Sequence, residues 1–241
     1  MAFIRVVNDS GVTLIDSEVF NLYLSQKGQL TMNWDVNIGD CMVITYNAKS
    51  NLPPLLAISC SSHHASLLSV KKDGNTYTYT IIYVDSSTVN SAVAGNYYIF
   101  DAGELTKVGV GELIIRNKDG YVTFDSHNKY LRIHSVENYP RLEWNEWFIS
   151  GPVDGDLVKE LPIGRRFAAV TNKVGYIYAE RVNGGEVMSN WYYDGVRIAS
   201  IGGNVSRHME LYQQSLYESS GANFTQNSSD SQHMIVDVTG Y

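Results

Sequence analysis

His63 and His64, just beyond Cys60, are the residues of this 241-residue chain whose types most invite metal or thiol chemistry. Imidazole and thiolate are common metal ligands, and a cysteine with a histidine is the core of a thiol hydrolase. The spacing argues against both readings. Neighbouring residues on a strand point to opposite faces, so the histidine pair does not close on one ion. No Cys-x-x-Cys or His-x-x-x-His accompanies it, and thiol-hydrolase signatures are missing. Acidic pairs deserve the same scrutiny, because cleaving a glycan takes two carboxylates across a sugar bond. Asp154 and Asp156 fall in a Pro/Gly stretch, and Glu143 and Glu146 flank tryptophans. A chain with 25 acidic residues offers such pairs freely, so surface charge is the favoured explanation. Gly109-Val-Gly111 lacks phosphate-loop spacing, and no serine stands in a Gly-x-Ser-x-Gly elbow. The expectation is a non-enzyme with no catalytic, cofactor-binding or metal-binding residue.

The aromatic residues carry more information. Trp144, Trp147 and Phe148 follow Tyr139, and Trp191, Tyr192 and Tyr193 are consecutive. Tryptophan and tyrosine bury large areas and favour protein contacts and sugar-stacking surfaces. Core filling is the favoured reading. Even so, consecutive aromatics on a strand send at least one ring outward or toward another subunit. Tyr139, Trp144, Trp147, Trp191, Tyr192 and Tyr193 are therefore the candidate interaction surface, with glycan binding its smaller share.

The elements that position these residues are strands. Seventeen Tyr against five Pro, with 44% hydrophobic and 18% charged residues, describes a folded chain of β type. The formal charge is −7, with five Lys/Arg against eight Asp/Glu in residues 1–103 and 13 against 17 thereafter. This even acidity argues against nucleic acid or an anionic membrane as partner. No apolar run approaches membrane-spanning length, and residues 1–20 alternate without a secretory core. Cys41 and Cys60 could pair, but synthesis in the cytoplasm favours buried free thiols.

An internal repeat organises the chain. Aligned without gaps, residues 4–24 and 113–133 match Asn8 with Asn117, Gly11 with Gly120, Asp16 with Asp125, Ser17 with Ser126 and Leu22 with Leu131. These five identities compare with roughly one expected from ordinary residue frequencies. Asn-x-x-Gly between apolar stretches reads as a hairpin turn, with glycine in the left-handed position. Asp-Ser reads as a second turn, so Asp16 and Asp125 are turn formers rather than acids or ligands.

Further strands follow at 67–72 and 76–84 around Asp73-Gly74, and at 97–101. Others are expected at 166–171 and 176–182, and at 191–193 and 196–201 around an Asp194-Gly195 hairpin turn. Residues 209–218 suit helix or strand, with alternation after Val205 tipping toward strand, and 234–239 look like a closing strand. Together these predict an all-β chain of two β-sandwich (Ig-like) domains, 1–103 and 104–241. Each opens with the same strand–turn–strand motif, and the break falls near 103–111.

Residues 4–24, 113–133 and the closing Met234-Ile-Val-Asp-Val-Thr-Gly-Tyr241 resemble segments of small tail proteins of siphophages, from the tail-tip and tail-fibre region. The resemblance implies a bacteriophage virion structural protein, made in the host cytoplasm and built into the tail. It would dock to other tail proteins and to further copies of itself, with a trimer suggested by tail symmetry. A host-receptor or glycan-binding module is the alternative, and a glycan hydrolase is the least favoured. The resemblance brings no catalytic residue with it.

Overall fold

The structure, a computed structural model, describes residues 5–7, 13–16, 21–35, 39–83, 92–103, 113–139, 158–183, 186–198, 204–218 and 225–241. For residues 6, 13–16, 158–159, 176–183, 186–194, 204–218 and 225–228 it describes the course of the backbone. The first half contributes β1 (Arg5–Val7), β2 (Thr13–Asp16), β3 (Tyr23–Gln29), β4 (Asn33–Asp35), β5 (Gly39–Asn47), β6 (Leu55–Cys60), β7 (Ala65–Asp73), β8 (Thr76–Tyr83) and β9 (Gly95–Asp101). The second contributes β10 (Ile114–Arg116), β11 (Val122–Asp125), β12 (Ile133–Tyr139), β13 (Val158–Glu160), β14 (Phe167–Lys173), β15 (Tyr176–Asn183), β16 (Glu186–Ile198), β17 (Asn204–Glu218), β18 (Thr225–Ser228) and β19 (Ser231–Asp237). The described residues hold no helix, and the strands pair antiparallel throughout. The expected all-β class is what the chain adopts.

The repeat is a structural repeat. In the first copy Arg5 lies opposite Asp16 and Val6 opposite Ile15, then a bulge brings Val7 opposite Thr13. In the second, Ile114 faces Asp125, Ile115 faces Phe124, and a bulge at the same place brings Arg116 opposite Val122. The second turn works as its residues require. The Asn117 side-chain oxygen accepts from the Asp119 and Tyr121 amides at 3.0 and 2.9 Å, and Gly120 takes φ +88°. Asp125, buried, accepts from the His127 amide at 2.9 Å, so it is the turn former expected. The matching turn at Asn8–Gly11 and most of the predicted break at 103–111 lie outside the described residues.

A six-stranded sheet runs β12-β19-β14-β6-β9-β3. Its order reads the same from either edge: the third strand of a half, its last strand, its middle strand, then the mirror sequence. The sheet also curls until its edges meet. Tyr23 and Tyr130 form a bridge, the Leu24 amide donates to the Lys129 carbonyl at 2.6 Å, and the Leu131 amide donates to the Leu22 carbonyl at 2.9 Å. Alternation then sends one residue in two inward. Ala57, Tyr98, Phe100, Ala168, Val236 and Val238 pack together inside the curl. Between them along the same strands, Ile58, Ile99, Ala169 and Ile235 face outward.

That outer side packs on a nine-stranded sheet, whose main path is β13-β17-β16-β7-β8-β5-β4. As the sequence alternation predicts, Tyr77, Tyr79, Ile81 and Tyr83 share one buried face of β8. They meet Leu56, Ile58 and Ile99 of the six-stranded sheet. Each fully buried side chain of this size contributes about 1.5–3 kcal/mol. The Tyr79 and Tyr83 hydroxyls donate to the Pro54 and Thr31 carbonyls at 2.9 and 2.8 Å, so their burial strands no donor.

Both sheets draw strands from both halves. The division at 103/104 separates the two copies of the motif, while the sheets continue across it through Ile58–Ala169 and Ala65–Val196. One expected turn is overturned. Asp194 and Gly195 lie inside β16, opposite Met209 and His208, and β16 continues to Ile198 before the chain reverses into β17. A continuous partner strand overrides the local turn preference of Asp-Gly. Residues 209–218 are strand, within β17, and β19 carries the expected closing strand.

Candidate functional site

The clearest departure from two matching halves is a strand arm. In the first half the chain passes from β6 to Ala65, at the seam between the halves, through residues 61–64 alone. In the second half it reaches Val196, the residue opposite Ala65, only after all of β15 and most of β16. The added length forms a four-stranded antiparallel layer in the order β18-β15-β16-β17. β16 pairs with β17 over its whole length, from Glu186–Glu218 to Ile198–Val205. At roughly 3.3 Å per residue its 13 residues span about 43 Å. β15 and β18 pair only with β16 and with each other among the described strands.

Three of the six candidate surface residues lie on this arm. Register sets Trp191 opposite Tyr178, Tyr192 opposite Ile177, and Tyr193 opposite Tyr176. Tyr176 and Tyr178 were not singled out in the sequence; their approach to Trp191 and Tyr193 depends on pairing across the β15–β16 hairpin. On the other side Trp191 faces Gln213 and Tyr192 faces Leu211, with a bulge at Tyr212 that adds local twist. Tyr139 is elsewhere. It ends β12 opposite Ser231, is buried, and stacks obliquely on His233 with ring centres 5.8 Å apart. Of the two readings open for it, core filling is the one observed. Trp144, Trp147 and Phe148 lie outside the described residues, as do Glu143, Glu146, Asp154, Asp156 and Gly109–Gly111.

The groups that suggested thiol or metal chemistry are set into packing. Cys41 and Cys60 are buried and not joined in a disulfide. Burial, with the charges of Asp35 and Asp40, pushes the Cys41 thiol above its ordinary pKa, which holds it in the unreactive protonated form. The Cys60 sulfur lies 3.8 Å from the Ser62 hydroxyl, which contacts His63 Nδ1 at 2.8 Å and accepts the Ala94 amide at 2.9 Å. His63 and His64 are both buried. Among the described residues no three His, Cys, Asp or Glu side chains are grouped to hold a metal.

Sequence reading missed a pair of equivalent buried aspartates. Asp101 and Asp237 end the last strand of their halves, in the matching runs Tyr98-Ile-Phe-Asp101 and Met234-Ile-Val-Asp237. The Asp101 Oδ2 accepts from Tyr46 Oη at 2.8 Å and the Lys49 amide at 2.7 Å. Its Oδ1 accepts from Ser50 Oγ at 3.1 Å and the Ala102 amide at 2.7 Å. Asp237 accepts from Arg165 at 3.0 Å, Arg132 at 3.4 Å and the Thr239 amide at 2.8 Å. Burial pushes the Asp237 pKa up, but the Thr239 hydrogen bonds and the two arginine charges hold it below its ordinary value. Beyond Asp237 the chain folds onto the curl: Lys27 donates to the Tyr241 carbonyl at 2.9 Å, and the Tyr241 ring lies 6.1 Å from Phe100. These contacts tie the ends of the last strands and the residues beyond Asp237 to the sheet. No protein-family model, curated protein or solved structure matches the chain.

Proposed function

We propose that the chain is a virion structural protein of the tail-tip or tail-fibre region of a bacteriophage, acting by docking to other tail proteins. The observation that carries the docking part is the four-stranded arm, the element of the second half with no counterpart between β6 and Ala65 in the first. Connections between core strands tolerate insertions and often carry binding residues, and the arm is such an insertion. The arm joins long strands to the run Trp191-Tyr192-Tyr193, and long open strands are a common means of pairing with another chain. The tail assignment comes from the resemblance of the repeated motif and the closing strand. Halves 1–103 and 104–241 enter this reading as two copies of one β unit. The mixed strand order supports units that complete one body more than it supports two separate Ig-like sandwiches.

Incorporation of Trp191→Ala and Tyr193→Ala variants into tails tests the proposal, with circular dichroism confirming that the variants fold. The expected result is a folded protein missing from purified virions. Normal incorporation with lost adsorption to host cells moves the reading to a receptor- or glycan-binding module. Absence of the unaltered protein from virions overturns the tail assignment.

A further inference from the structure

The two halves are related by more than a shared opening motif. In the first half β3 meets β9 with Leu24 opposite Phe100 and Gln26 opposite Ile99, one residue of β3 being skipped. In the second half β12 meets β19 with Ile133 opposite Val236 and Ser135 opposite Ile235, with the same skip. β6 then pairs with β9 as β14 pairs with β19: Leu56 faces Ile99 where Ala169 faces Ile235, and Ile58 faces Tyr97 where Thr171 faces His233. Leu56 therefore corresponds to Ala169, and Ile58 to Thr171.

These correspondences make the seam self-matching. β6 and β14 meet antiparallel at Ile58–Ala169. Stepping two residues along that register reaches Leu56 and Thr171, the same pair with the halves exchanged. The opposite closure behaves alike, since the hydrogen-bonded Leu22 and Leu131 are one position of the repeat seen twice. An antiparallel contact that maps onto itself when its sides are swapped is the signature of a two-fold interface.

The seam is also held as subunit interfaces are. Among the described residues its backbone pairing is one bridge in each sheet, with the Tyr23–Tyr130 bridge and its two flanking hydrogen bonds at the opposite closure. Side-chain burial is extensive: Ala57, Tyr98 and Phe100 of the first half share a cluster with Ala168, Val170 and Val236 of the second.

We infer that the chain is a fused homodimer: each half carries, along its middle strand, a mating edge whose natural partner is a second copy of the same unit. Residues 104–112 join the mates without being needed to hold them together. This architecture is independent of what the arm docks to.

The test uses the full chain with a protease site placed within 104–112. After cutting, the two fragments are expected to co-elute at the mass of the intact chain. Their melting midpoint is expected to fall by about 3–6 °C for each tenfold dilution, as for any two-part complex of this size. Two separate folded monomers after cutting overturn the inference. A second measurement needs no cut. Ala169→Glu places a charge at the seam, and hydrogen exchange is expected to show lost protection in β6 and β9 as well as in β14 and β19. Loss confined to the second half means the halves are autonomous and overturns the inference too.

Discussion

Replacing Asp101 with Asn removes a charge while keeping nearly every atom in place, and the geometry gives a definite cost. Each carboxylate oxygen accepts one backbone amide, Lys49 on Oδ2 and Ala102 on Oδ1. An asparagine has one acceptor oxygen and one NH₂ donor. Whichever way its amide is turned, the NH₂ meets a backbone N–H, part-buried at Lys49 or buried at Ala102, instead of accepting from it. The two hydroxyls can adapt, since the Tyr46 hydroxyl also reaches Ser25 Oγ at 2.7 Å. The amides cannot. One unsatisfied buried N–H costs about 1–3 kcal/mol, and the bonds that survive lose charge assistance worth about 1 kcal/mol. Easier burial of a neutral side chain offsets part of this, leaving a net loss of about 1.5–3 kcal/mol. Asp237→Asn is the internal control. Its arginine partners Arg132 and Arg165 are 48% and 60% exposed, and Asn can still accept the Thr239 amide. Exposed ion pairs contribute about 0–1 kcal/mol each, so a loss near 1 kcal/mol is expected there. Urea unfolding of both variants, with unchanged m-values, reads the difference. Equal losses, or a loss under about 1 kcal/mol for Asp101→Asn, would show that the carboxylate network is not the constraint described.

Acid should act through Asp237. Its folded-state pKa lies below its ordinary value, so its stabilisation is complete above about pH 4 and is lost as pH falls through the depressed value. The drop in Tm from pH 5 to pH 3 should therefore be smaller in Asp237→Asn than in the unaltered chain. Gly95→Ala places a Cβ 2.3 Å from the Ser59 carbonyl oxygen and 2.9 Å from the Cys60 Cα. Backbone cannot swing aside, so a loss of about 2 kcal/mol or more is expected in denaturant melts. Gly28→Ala meets the Tyr97 ring at 2.4 Å instead. A side chain can turn, so its cost should be smaller, and fluorescence should report a moved tyrosine that has lost its bond to Gln26.

What could be read in the sequence was local chemistry, and what could not was long-range pairing. Asp73-Gly74 is a turn because strands of matching register flank it: Asp73 lies opposite Thr76, and Gly74 takes φ +56°. Asp194-Gly195 is the same dipeptide, yet β17 runs past it without a break, and no nearby residue announces that partner. The repeat was legible because its Asn, Gly and Asp positions answer to backbone geometry. The match of Asp101 with Asp237 was not, because it rests on an Ile and an Asp in short apolar runs. Pairing of β6 with β14 was equally hidden, since a middle strand with both faces buried carries no mark of which strand lies beside it. Among the aromatic candidates, Tyr139 looked no different from Trp191; only the closeness of β19 gives it a buried neighbour in His233.

The way the six-stranded sheet closes has a consequence for how the protein is made. β3, β6 and β9 emerge from the ribosome first, and the strands that complete their ring, β12, β14 and β19, are spread over the second half. During translation the nascent first half must wait with the edge of β6 unmated and its lumen residues Ala57, Tyr98 and Phe100 uncovered. β12 and β14 have no strand to join them until 231–237 are made, since β19 pairs with both. On crowded polysomes the waiting edge of one nascent chain is open to the second half of its neighbour, and the product of that error is two molecules locked together through exchanged halves. The rate of synthesis across 104–241, set against chain concentration, then governs the yield of single molecules.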